Sequence, residues 1–167
     1  GMVNEKPEAA QPPDVEVLRR FEHGIRLAPA AAQRCCAGFL TLMAFGSSRN
    51  AELLRTRNLT LSCDAVTGES ITKNLNGVWV RWFAPRKGLV SDDSAGDWLG
   101  EFHRYGVPGS GYVFAWVNQA LDAWAPRMAS YNDVEQVFRA MLCTQCGFSV
   151  DEAAKFTPTG SAMIWYG

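Results

Sequence analysis

Arg49 stands in the run Phe45-Gly46-Ser47-Ser48-Arg49-Asn50-Ala51-Glu52-Leu53-Leu54. An apolar helix is expected to end at Gly46, and a short second helix from Asn50 to Arg55 to carry Leu53 and Leu54. A guanidinium at a joint between two packed helices can hold a phosphate or a carboxylate through two parallel hydrogen bonds. The same residues also read as a capping serine followed by a solvated arginine. Six more basic residues follow, Arg55, Arg57, Lys73, Arg81, Arg86 and Lys87, against the acidic Glu52, Asp64 and Glu69. Such a balance can build a basic face, and a basic face suits a phosphate-bearing partner. The whole chain tempers this, since 16 basic and 17 acidic residues leave a net charge of -1. Strong binding to DNA needs its cations clustered.

The other chemistry-bearing residues point away from metals and cofactors. The five cysteines are Cys35, Cys36, Cys63, Cys143 and Cys146. An odd count, behind a polar, proline-rich start with no apolar leader, reads as free thiols in a reducing compartment, cytoplasmic or nuclear. Cys143 and Cys146 are spaced as Cys-x-x-Cys, but zinc would need two more ligands, and His23 and His103 lie in no paired motif. The pair also falls at the end of an amphipathic helix, not at the start of one after a strand, so a redox site is not expected. The Gly106 to Gly111 loop lacks the lysine and the context of a phosphate loop. No cofactor and no metal are expected. The six tryptophans could stack on bases, but their helix and strand spacings assign most of them to the core.

The elements that must position these residues can be read from periodicity. At 167 residues, 47% apolar and 20% charged, the chain has the size and composition of one soluble domain. Residues 1–11 read as a disordered or extended tail, and residues 12–167 as a single domain. Nothing is apolar over a membrane-spanning length. Pro12-Pro13-Asp14 opens a helix with Val15, Leu18, Phe21 and Ile25 on one face, and Arg19, Arg20, Glu22 and Arg26 largely on the other. Ala30 to Phe45 is a second, buried helix. The period then falls to two. Leu59 to Cys63, Glu69 to Thr72 and Val78 to Phe83 are candidate strands, with Asn76-Gly77 as a hairpin signal. Ala95 to Tyr105 is helical. Tyr112 to Trp116 reads as a strand or as the start of a helix, with a turn into a helix from Val117 to Trp124 preferred, and Pro126 breaks that helix. Asn132, with Glu135 three residues on, caps a helix through Cys146, closed by Gly147. Ser149 caps a last short helix, Val150 to Phe156. The fold class is α+β, mainly helical, with a small three-stranded antiparallel sheet.

Gly46-x-x-Arg49-x-x-Glu52-Leu53-Leu54, followed by a β-like run, resembles the first arginine box of tyrosine recombinases, the phage-integrase family. The order helix, helix, arginine box, three-stranded sheet, helices is similar to that family's catalytic domain. The resemblance covers about Pro13 to the C-terminus and is weak at the residue level beyond the box. It implies DNA strand transfer through a phosphotyrosyl link, with duplex DNA as the partner, the chain itself as an oligomer on DNA, and no cofactor. It places Arg49 as the first catalytic arginine and Lys73, on the turn before the third strand, as the proton donor, with Lys87 as the alternative. Arg55, Arg57, Arg81 and Lys87 would contact DNA.

The departures fall in the second half. No His-x-x-Arg box exists. In one alignment of the tail, Thr159 and Ala162 occupy that box and the chain stops before the nucleophile. In the other, Asp133 and Gln136 occupy it, Thr159 replaces a later histidine, and Tyr166 is the nucleophile. Either way the second arginine is missing, at a typical cost of about 100- to 1000-fold in rate per lost charge-assisted donor. The expectation is a DNA recombination or integration protein, degenerate or truncated. The alternative is a non-catalytic helical domain on the same fold that binds protein, which the near-zero net charge favours.

Overall fold

The structure, a computed structural model, describes residues 15–45, 54, 56–71, 77–105 and 113–158. Helix α1, Val15–Leu27, buries Val17, Leu18, Phe21 and Ile25. Two expectations for it need correction. Val15 is 52% exposed, and Val17 joins the buried face in its place. Glu22, assigned to the polar side, is only 3% exposed and faces a distant loop.

Helix α2, Ala31–Phe45, is buried on most sides, as its apolar composition requires. It crosses helix α3, Ser94–Tyr105, at Gly38. A Cβ at Gly38 would lie 1.8 Å from Cδ1 of Trp98, so only a glycine admits the indole. The Trp98 Nε1–H donates to the Cys35 carbonyl at 3.0 Å, which satisfies its polar edge inside the core.

Strands β1, Thr56–Leu61, β2, Ala65–Ile71, and β3, Trp79–Pro85, form an antiparallel sheet in the order β1-β2-β3. The expected three strands are present, but β1 and β2 begin earlier than Leu59 and Glu69. Asn58 has a φ of 54°, and the register shifts between Arg57 and Thr60. That bulge lets the polar Thr56-Arg57-Asn58 stretch pair despite its poor strand composition. The inner face carries Val66, Gly68 and Ala84, with Trp82 lying over Gly68 and donating through Nε1 to the Thr56 hydroxyl at 3.1 Å.

The helix expected from Val117 to Trp124 does not form. The segment is a hairpin of β4, Ala115–Val117, and β5, Trp124–Met128. The Asn118 carboxamide oxygen accepts from the amides of Asp122 and Ala123, and its nitrogen donates to Asp122. This local bonding closes a turn in competition with the helical ladder. Leu121 completes the turn at a φ of 61° with its side chain 1% exposed. Pro126 falls inside β5 instead of ending a helix, in a two-stranded sheet that has only edge strands.

Helix α4, Tyr131–Cys146, begins two residues earlier than a cap at Asn132 would allow. Ser130 is its cap, in a reciprocal box with Asp133. Glu135 instead pairs with Arg139 at 2.9 Å. Gly147 ends the helix in the left-handed conformation, and Ser149 caps α5, Val150–Ala153. Phe21 of α1 meets Phe138 of α4 edge to face at 5.7 Å, and Phe39 meets Phe114 at 4.5 Å. The described residues therefore make an α+β fold of five helices, one three-stranded and one two-stranded antiparallel sheet, the second sheet not expected from sequence. Among them, no helix is long and apolar enough to cross a membrane.

Candidate nucleic-acid interface

The outward face of the β1-β2-β3 sheet carries two of the basic residues that the sequence singled out, Arg57 and Arg81. Alternation sends Val66, Gly68 and Ser70 inward, and Thr67 and Glu69 outward. In register, Arg57 of β1 lies opposite Glu69 of β2, and Glu69 opposite Arg81 of β3. Two arginines thus flank one carboxylate in a row across three strands. The row is asymmetric. Glu69 Oε1 lies 3.8 Å from Arg57 Nε and accepts from Asn58 Nδ2 at 2.5 Å. Arg81 is exposed and, among the described residues, has no ion-pair partner. The Arg57 guanidinium also lies over the Trp79 ring, 3.6 Å from its centroid, a cation–π contact.

Lys87 stands exposed in the loop after β3, between two fixed points. On one side, Arg86 binds Asp93 with both arms, at 2.7 and 2.5 Å, and donates to the Ser62 carbonyl at 2.8 Å. The hydrogen bond from Arg86 holds the Asp93 carboxyl below its usual range, with help from the Gly96 amide and the charges of Arg86 and Arg26. The same bond raises Arg86 above its ordinary value. On the other side, the buried Glu22 carboxylate of α1 accepts from the amides of Leu89, Val90 and Ser91 at 2.8 to 3.3 Å. Sequence reading missed Glu22, since helical spacing alone shows a polar-side residue, not its partners.

The structure brings together Arg57 and Arg81 and places Lys87 downstream of them. Arg49, Arg55, Lys73 and Tyr166 lie outside the described residues, as do Thr159 and Ala162 of the first tail alignment. Asp133 and Gln136, the box residues of the second alignment, line an open cleft of about 560 Å³ with Trp116, Asn118, Arg139 and Cys143. Asp133 is committed to capping α4, with Oδ2 accepting from the Ser130 amide at 2.8 Å. Asp133 would stand where that box has its histidine, and its carboxylate repels a phosphate; Gln136 would stand where the box has its arginine, and it is neutral.

Cys143 and Cys146 are half-buried on α4, Cys63 is exposed in the β1–β2 turn, and Cys35 and Cys36 are buried. Among the described residues no three His, Cys, Asp or Glu side chains are grouped to hold a metal ion. No protein-family model matches the chain, and neither a curated protein nor a solved structure matches it.

Proposed function

We propose that the chain is a DNA recombination or integration protein of tyrosine-recombinase type that binds duplex DNA and is impaired in strand cleavage. The observation that carries this reading is the shared outward face of Arg57 and Arg81, on the sheet that follows the Arg49 box. The order of two helices, box, three-stranded antiparallel sheet and helix supports it. Arg49 and Lys73 would supply the phosphate contact and the proton for the leaving oxygen. Phosphoryl transfer spreads negative charge over the non-bridging oxygens and calls for further fixed cations. Asp133 and Gln136 cannot supply them, and neither can Thr159 or Ala162.

Binding is tested with a labelled duplex at low salt, where the protein should bind weakly and without sequence preference. Absence of binding there would remove the reading. Chemistry is tested with a nicked suicide duplex, which traps any covalent intermediate. No adduct is expected. An adduct that survives denaturation and disappears in Tyr166→Phe would overturn the claim of impairment and establish Tyr166 as nucleophile.

A second reading, a protein-interaction domain on the same fold, is favoured by internal neutralisation. Arg26 pairs with Asp97, Arg34 with Glu101, Arg86 with Asp93 and Arg139 with Glu135, so these cations are already satisfied.

A further inference from the structure

We infer that the outward face of the three-stranded sheet is a stacking platform for the unpaired bases of a single-stranded nucleic acid. The inference deepens the nucleic-acid reading given above and rests on it. Trp79, Arg81 and Phe83 alternate along β3 on the outward side. Residues two apart on a strand are separated by about 7 Å, so the face presents an aromatic, a cation and an aromatic at regular intervals. Phe83 is 69% exposed. Its cross-strand neighbour is Thr67, whose hydroxyl hydrogen-bonds that of Thr60 at 2.6 Å. The row beside the ring is therefore short and flat, and leaves one face of the phenyl open. Among the described residues β3 is an edge strand, with no further strand paired beyond it.

Charge decides among occupants. Glu69 is drawn towards Arg57 and Asn58, and among the described residues Arg81 has no ion-pair partner at its place between Trp79 and Phe83 along the strand. A purely apolar protein surface would have to desolvate that guanidinium without a partner. A nucleic-acid strand brings a phosphate for it and bases for the rings. Duplex DNA keeps its bases stacked inside, so the rings can be used only where bases are unpaired. Arg57 against Trp79 adds a preformed cation–aromatic sandwich edge on the same face.

The test uses fluorescence anisotropy with a labelled oligothymidylate and with a duplex of equal length, on the full chain at low salt. The oligothymidylate should bind, and Phe83→Ala should weaken it by about 5-fold or more while duplex binding stays within about 2-fold. Phe83→Trp should restore the single-strand affinity. Circular dichroism of the variants checks the fold, which an exposed ring should not govern. A second measurement needs no variant: an iodouracil-substituted oligonucleotide, irradiated in complex, should crosslink to the peptide holding Trp79 and Phe83. Failure of the oligothymidylate to bind, an equal loss for both ligands in Phe83→Ala, or crosslinks confined to other peptides would overturn the inference. Duplex binding without single-strand binding would leave the proposed function standing. Binding of neither ligand would remove both and favour a protein partner.

Discussion

Glu22 is the residue whose loss should be felt most. Three backbone amides lean on one buried carboxylate, and removing an acceptor leaves its donors dry at about 1–3 kcal/mol per group. Glu22→Ala should therefore lower unfolding stability by about 3 kcal/mol or more in urea titrations. A loss below about 1 kcal/mol would mean that water replaces the carboxylate freely. The cysteines give a second outcome at this scale. Burial, then the charge of Glu101, pushes the Cys35 thiol up to about 12, and burial, then neighbouring Cys35, raises Cys36 as well. Raised values mean that the folded thiols stay neutral and unreactive while free thiols ionise near about 8.5. The stability they confer is complete below that pH and is lost as pH rises through the folded value. A thiol reagent at pH 8 should label exposed Cys63 first and reach Cys35 and Cys36 only on unfolding. Rapid labelling of Cys36 in the native protein would contradict this.

At the level of elements, two glycines separate packing from propensity. Gly38 and Gly100 both sit inside helices, where alanine is preferred by about 1 kcal/mol. A Cβ at Gly100 meets nothing within 4 Å, whereas one at Gly38 overlaps the Trp98 indole. Gly100→Ala should stabilise by about 0.5–1 kcal/mol, and Gly38→Ala should destabilise by about 2 kcal/mol or more despite the same propensity gain. Thermal melts of the pair read the difference directly. The same contrast explains what was legible in the sequence. Period and apolar content located α1, α2, α3 and the pairing of three strands. The segment from Val117 to Trp124 has ordinary helix formers, and nothing local reveals that the Asn118 side chain closes a turn first. The bulge at Asn58 likewise hid the start of β1, and with it the register that puts Arg57 and Arg81 in one row. Glu22 was illegible for another reason: its partners lie 67 to 69 residues away.

For the whole molecule, the question is how a chain of net charge -1 meets a polyanion. Distribution must do it, through a few cations on one side. Each phosphate neutralised contributes about 0.9 to the slope of log affinity against log salt on duplex DNA. A protein that neutralises phosphates with Arg57, Arg81 and Lys87 should show a slope of at least about 2 to 3. Arg81→Ala should reduce it by about one, and Arg34→Ala, whose guanidinium is tied to Glu101, should leave it unchanged. Salt titration of duplex affinity in the three proteins measures this. A slope unaffected by Arg81→Ala would move the phosphate contact off the sheet.

The clasp between α1 and the loop after β3 also has a kinetic consequence. The amides of Leu89, Val90 and Ser91 belong to no helix or strand, and loop amides ordinarily exchange with deuterium through small local openings. Here they point into a carboxylate on the N-terminal helix. That helix is packed against α2 and α4, so the loop is tied to a well-anchored acceptor and must break several hydrogen bonds together to open. Their exchange should be slow, matching the core amides of α1 more closely than those of exposed Asp92. The loop that carries Lys87 would then open less readily than an untethered surface loop.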